Sequence, residues 1–274
     1  MMLRRIALVL GFIGPAKLLV AQTTETQPRD LFYTQVAVAE REPLPYDYVS
    51  ENDVYWHKRI WRLVDVNEKM NLPFRYEGLD WSKLKPLVSV LRDAALAGEL
   101  QVYDDDQFRT PLTPEQVRQR GAGFDTIPIS DLEGNYIKDT VVERLFNPNL
   151  VRAYRIKEDW FFNKKSSQMM VRIMGIAPLY FDEGAQISYP IFWVYYPAAR
   201  PLLARAEAFN PRNDSQRWSW EDVLEMRLFS SIIIKESNVF DRRIQDYATG
   251  IDALRESDRI KADIFNFEHD LWSY

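Results

Sequence analysis

Val151-Arg-Ala-Tyr-Arg-Ile-Lys-Glu-Asp-Trp-Phe-Phe162 and Met169-Met-Val-Arg-Ile-Met-Gly-Ile-Ala177 decide the fold. Both stretches alternate polar with apolar residues or run apolar. Both are rich in aromatic and β-branched side chains, which fit a pleated, half-buried surface. Asn163-Lys-Lys-Ser-Ser167 joins them as a polar turn. The spacing predicts two antiparallel strands, with Ile191-Phe-Trp-Val-Tyr-Tyr196 as a third.

On the N-terminal side, Ser50-Glu-Asn-Asp53 resembles a helix cap ahead of Val54-Tyr-Trp-His-Lys-Arg-Ile-Trp-Arg-Leu-Val-Asp-Val66. Trp56, Ile60, Leu63 and Val64 fall on one face at helical spacing, with Trp61 to the side, and Pro73 ends the element. A second helix is predicted from Ser82, with Leu84, Leu87, Val88, Leu91 and Ala95 inward, Pro86 in its first turn and Gly98 as terminator. Leu100 to Thr110 reads as a hairpin tipped by Asp104-Asp-Asp106, and Thr113-Pro-Glu-Gln116 as a helix start.

On the C-terminal side, Ser219-Trp-Glu-Asp222 is another capping pattern. Val223, Met226, Phe229 or Ser230, and Ile233 extend a predicted helix. Ser257 opens a last one, with Ile260, Ile264 and Leu271 in phase, running almost to Tyr274. Arg59-Ile-Trp-Arg-Leu-Val-Asp-Val-Asn-Glu68 echoes Arg227-Leu-Phe-Ser-Ser-Ile-Ile-Ile-Lys-Glu236. The echo fits either two related lobes or two amphipathic helices built by the same rules, and the second reading is preferred.

The chain opens with Arg4 and Arg5, an apolar run from Ile6 to Ala16, Lys17, and then Leu18-Leu-Val-Ala21. A basic start, a short apolar run and a small residue predict a secretory signal peptide over 1–21, cleaved after Ala21. The run is too short to span a bilayer, which takes about 20 apolar residues. Residues 22–49, with Pro28, Pro43 and Pro45 and no sustained period, predict an extended or disordered arm. Such an arm could also lie along a neighbouring subunit. Residues 50–274 form the folded domain, whole or as lobes at about 50–145 and 146–274. The predicted fold class is α+β, with amphipathic helices at both ends of the mature chain around a central antiparallel β region.

Composition narrows function by exclusion. There are no cysteines, so disulfides, thiol catalysis, Fe–S clusters and an acyl-cysteine lipid anchor are all ruled out. The net charge of −5 becomes −8 once Arg4, Arg5 and Lys17 are removed with the leader, which argues against a general nucleic-acid binder. No phosphate-binding glycine loop or nucleophile elbow occurs, and Gly121-Ala-Gly123 reads as a turn.

His57 and His269 are the only histidines, and Glu268-His-Asp270 lacks the second His or thiolate that zinc prefers. Asp104-Asp-Asp106 lacks the glycine and distal Glu of a calcium loop, so it reads as a solvated tip. No cofactor or metal is expected. Arg217 beside Trp218 and Trp220 pairs the residue types favoured at interface hot spots, and Trp56 and Trp61 join them as candidate interface residues.

Several strings together resemble one family. They are Val54-Tyr-Trp-His-Lys-Arg-Ile-Trp-Arg-Leu-Val-Asp-Val-Asn-Glu-Lys-Met-Asn-Leu-Pro-Phe74, Ile156-Lys-Glu-Asp-Trp-Phe-Phe162, Val171-Arg-Ile-Met-Gly-Ile-Ala-Pro178, Phe192-Trp-Val-Tyr-Tyr-Pro-Ala-Ala-Arg-Pro201, Phe229-Ser-Ser-Ile-Ile-Ile-Lys-Glu-Ser-Asn-Val-Phe-Asp-Arg-Arg-Ile244, Tyr247-Ala-Thr-Gly-Ile-Asp-Ala-Leu-Arg-Glu-Ser257 and Glu268-His-Asp-Leu-Trp272. In this order they resemble the GldN/PorN family, PorN most closely. The resemblance implies a non-enzymatic structural subunit of the type IX secretion system, which also serves gliding motility. It implies a periplasmic ring at the inner face of the outer membrane, built with a GldK/PorK-type lipoprotein and touching a GldM/PorM-type motor protein. The competing expectations are a periplasmic cell-wall glycan hydrolase, resting on export and abundant carboxylates, and a glycan- or peptide-binding module, resting on the aromatics.

Overall fold

The computed structural model describes residues 41–78, 84–130 and 136–271, and for 123–144 it describes the backbone alone. The predicted leader, the arm up to residue 40, the Ser82 cap and residues 272–274 lie outside the described residues.

The central hairpin is as the sequence predicts. β5 (Val151–Asn163) pairs antiparallel with β6 (Gln168–Asp182), from Val151 opposite Tyr180 to Asn163 opposite Gln168. The largest departure is on the far side of β5. The segment expected to open the domain as a helix is β1 (Val54–Asp65), paired along its length with β5. Its other edge pairs with β11 (Ile232–Glu236). The Ser50 pattern makes only a 3-10 turn over Glu51–Asp53, without a side-chain cap.

Trp56, Ile60 and Val64 are spaced by four, which keeps them on one face of a helix and also on one face of a strand. Only Trp61 and Leu63 discriminate, and in the structure both point to the opposite face from that trio. Two pairing partners, with aromatic and β-branched residues facing them, override the helical reading.

The antiparallel sheet runs in the order β11-β1-β5-β6-β8-β2, with β7 on a further stretch of β6. Here β2 is Val102–Tyr103, β7 Ile187–Pro190 and β8 Trp193–Tyr195. The sheet thus takes strands from both sides of residue 145. The expected third strand is shortened, because Tyr196 opens α3 (Tyr196–Arg205) with a proline in its first turn. The acidic loop after β2 closes through Asp104 N–H to Thr110 O and a single bridge between Tyr103 and Pro111. A hairpin the sequence did not disclose, β3 (Gly123–Ser130) and β4 (Tyr136–Arg144), forms a two-stranded ladder of its own. So do the short β9 (Glu207–Ala208) and β10 (Trp218–Ser219).

Helices cover one face of the sheet. α1 (Leu87–Ala97) starts after Pro86 and ends at Gly98, whose φ of +76° is the left-handed conformation that favours glycine. Its Leu87, Val88, Leu91 and Ala95 pack with Val64, Tyr154, Ile156 and Ile176 of the sheet. α2 (Pro114–Gln119) carries the predicted reciprocal cap between Thr113 and Gln116. α4 (Trp220–Glu225) has the same device between Ser219 and Asp222.

The helix predicted from Val223 through Ile233 is corrected. α4 stops at Glu225, Arg227 takes a left-handed φ of 55°, and Ile233 belongs to β11. Three consecutive isoleucines suit a strand better than a helix. The echoing segments are therefore neighbouring strands at Trp61 and Lys235, and not two amphipathic helices.

The last helix, α5 (Ile251–Leu271), starts before the predicted Ser257, which instead sits buried within it. Ser257 Oγ accepts the amide hydrogen of Ile233 at 2.9 Å, fastening the helix to the sheet's edge strand. Ile260 and Ile264 then meet Ile60 and Ile233 in a second apolar cluster.

Candidate interaction surface

The candidate aromatic residues do not converge. Trp220 is fully buried in the main core, edge-on to Phe74, with its indole N–H directed at Lys85 O. Trp61 is 8% exposed on the helix-free face, where its indole N–H donates to Asp106 Oδ2 at 2.9 Å. Trp56 lies at the other end of β1 on the opposite face, stacked on Phe267 of α5 at 4.8 Å. Trp218 packs against the main core from β10. Arg217 pairs with Glu207, and its carbonyl accepts from Arg41. Sequence reasoning correctly notes aromatic abundance, but indole count cannot separate core from surface.

What the structure adds is a strap. Residues 41–50 have no regular secondary structure, and they are held by a set of charged anchors. Arg41 Nη1 lies 2.7 Å from Asp222 Oδ2. Arg200 Nη2 donates to Leu44 O at 2.7 Å, and its guanidinium covers the Tyr46 ring at 3.8 Å. Arg172 covers the same ring at 4.8 Å and donates to Asp47 O. The Tyr46 hydroxyl donates to Glu225, which also accepts from Tyr196 at 2.9 Å. Burial, reinforced by Glu225, pushes both phenols well above their ordinary range, so they stay neutral donors. The alternation-free stretch from Pro43 to Pro45 hides this docking from a periodicity search.

The helix-free face carries charge. Arg59 grips Asp159 in a two-pronged pair at 2.6 and 2.8 Å, and His57 Nε2 stands 3.3 Å from the same carboxylate. Burial raises the Asp159 pKa, but the hydrogen bonds and charges of Arg59 and His57 outweigh it, and the net shift is downward. A depressed carboxyl contributes stability above its unfolded pKa, and that stability is lost as pH falls through the folded value. Asp159→Asn is therefore expected to lower stability at neutral pH and to flatten the loss of stability below about pH 4. Urea midpoints taken across pH 2–7 check this. Parallel wild-type and variant curves would refute it.

Among the described residues there is no group of three or more His, Asp and Glu side chains placed to hold a metal. His57 faces a salt bridge, and His269 stands 72% exposed near the end of α5. No described helix is long and apolar enough to cross a membrane. Exposed apolar side chains gather instead between residues 239 and 254: Val239, Phe240, Tyr247, Ile251 and Leu254. Phe240 and Tyr247 share the guanidinium of Arg242, at 4.7 and 5.7 Å.

The described residues thus present a charged sheet face, a strap over 41–50 and an exposed apolar corner. Residues 49–273 match the family model described as gliding motility associated protein GldN, and the chain belongs to that family. The family comprises structural motility proteins of the cell envelope, components of gliding-motility and type IX secretion machinery. Comparison with curated proteins gives no match.

Proposed function

We propose that this chain is a non-enzymatic periplasmic subunit that builds a ring with a GldK/PorK-type outer-membrane lipoprotein, at the inner face of that membrane, and contacts a GldM/PorM-type motor protein. The family match over 49–273 carries this reading, because it spans the whole domain from the strap to the end of α5. The leader predicted over 1–21 supports export, and the absence of cysteine supports membrane attachment through a partner. The apolar corner between Val239 and Leu254 supports assembly, since aromatic and apolar side chains concentrate at the centres of protein interfaces. Co-expression with the cognate lipoprotein, followed by electron microscopy of the purified material, is expected to give large rings containing both proteins. A monomer of this chain in every pairing would sink the proposal.

A further inference from the structure

The helix-free face of the sheet holds a cavity of about 290 Å³ between the 104–111 loop, the β1–β5 ladder and the segment after β11. Trp61, Asp106, Arg155, Lys235, Asp241 and Arg243 line it. Its carboxylates are already engaged. Asp241 Oδ1 lies 2.5 Å from Lys235 Nζ, and Asp106 Oδ2 accepts the Trp61 indole hydrogen at 2.9 Å. Asp105, also on the wall, accepts the Arg109 amide hydrogen at 3.0 Å.

The arginines are different. Arg155 Nε is buried and has no hydrogen-bond acceptor. Among the described residues, no carboxylate stands within ion-pair distance of Arg155 or of Arg243. The Arg155 pKa is drawn down, first by burial and then by the charge of Arg243, against a smaller upward pull from Asp106. Lys157 lies beside them on β5, its Nζ donating to the Asp106 carbonyl and 3.9 Å from Asp106 Oδ2.

Two guanidinium groups that repel one another without a direct ion pair to offset it weaken the fold that holds them. Costs of this kind concentrate where a ligand is received. Trp61 and Trp193 add aromatic surface to the cavity wall. A planar donor fork matches carboxylate and phosphate oxygens in geometry. The volume sits at the floor of ligand pockets, roughly 300–1,000 Å³, which suits a single small acidic group.

We propose that this cavity is an oxyanion-binding site in which Arg155 and Arg243 grip one carboxylate or phosphate group against the wall of Trp61 and Trp193. The site stands independently of the ring reading and is tested on the full chain alone. Two sources of the oxyanion are compared: inorganic phosphate, and a hexaglutamate peptide as a stand-in for an acidic partner segment. Binding is measured by calorimetry at low ionic strength, and thermal melts accompany it.

At about 100 times its Kd, the bound oxyanion is expected to raise Tm by about 5–10 °C. Arg155→Gln and Arg243→Gln are each expected to weaken binding about 10- to 100-fold. Without ligand, both variants are expected to melt at or above the wild-type temperature, since each removes a repelling charge. Lys165→Gln, at the exposed β5–β6 turn, controls for general charge and salt effects and is expected to leave binding unchanged. Binding of phosphate alone assigns a small-molecule source, and binding of the peptide alone assigns a partner's side chain. Failure of both, or binding undiminished in both arginine variants, overturns the proposal.

Discussion

Replacing Glu158 with alanine is expected to destabilise the domain by about 3–5 kcal/mol, the cost of breaking a buried ion pair from one side. Glu158 is fully buried on the helix-covered face. Arg62 Nε lies 2.9 Å from its Oε2, Arg227 Nη2 2.9 Å from its Oε1, and the Trp160 indole hydrogen is donated to Oε2 at 3.0 Å. Alanine would strand two guanidinium groups and an indole, and Arg62, whose pKa burial already depresses, has little water to turn to.

The position of this triad explains its weight. Along one face of β1, Ile60 belongs to the cluster under α5 and Val64 to the main core, with Arg62 between them. Arg227, at its left-handed turn, reaches the same carboxylate from the link between α4 and β11. The triad therefore ties together two apolar clusters that share a sheet face. Urea unfolding should show a lower midpoint with an unchanged slope. Glu158→Gln, which keeps an acceptor, should cost less. Replacing Arg62, Glu158 and Arg227 together with apolar residues should recover much of the loss, because buried ion pairs often exchange for hydrophobic packing at little net cost. An alanine variant within about 1 kcal/mol of wild type would contradict the argument, since that is the range of exposed pairs.

The legible parts of the fold were those set by local chemistry. The β5–β6 hairpin, the reciprocal caps at Thr113 and Ser219, and the glycine stop at Gly98 each depend on residues a few positions apart. What misled was anything decided at long range. β1 satisfies a helical stripe at Trp56, Ile60 and Val64, and only its distant partners on β5 and β11 make it a strand. Ser257 looks like a cap because it is a serine ahead of an apolar run, yet its hydroxyl serves the amide of Ile233. The surroundings of the candidate surface residues are likewise set at long range. Trp220 is packed into the core and Trp218, two residues before it, lies against that core, while the strap anchors Arg172, Arg200 and Glu225 share no motif.

Arg200→Ala is expected to release the strap and to destabilise the domain by about 3–5 kcal/mol at neutral pH, with the loss shrinking in acid. Arg200 lies 2.6 Å from Glu221 and 3.5 Å from Glu225, and it also holds Leu44 O and the face of Tyr46. Burial raises the Glu221 pKa even in the native protein, and Arg200 is the main opposing influence. Without Arg200 the folded-state value rises further above the unfolded one. A carboxyl raised in this way contributes stability that is complete below its unfolded pKa and lost as pH climbs through the folded value. The gap between variant and wild type should accordingly be small near pH 4 and widen toward pH 7. Tyr46→Ala separates the two consequences, because it frees the strap without uncovering a buried carboxylate. Both variants should be cut early by a protease within 41–50, but only Arg200→Ala should show the widening gap. Equal gaps at pH 4 and pH 7 would mean that Glu221 does not depend on Arg200. Resistance of both variants to cleavage would mean that the strap is held by something other than the Tyr46 socket.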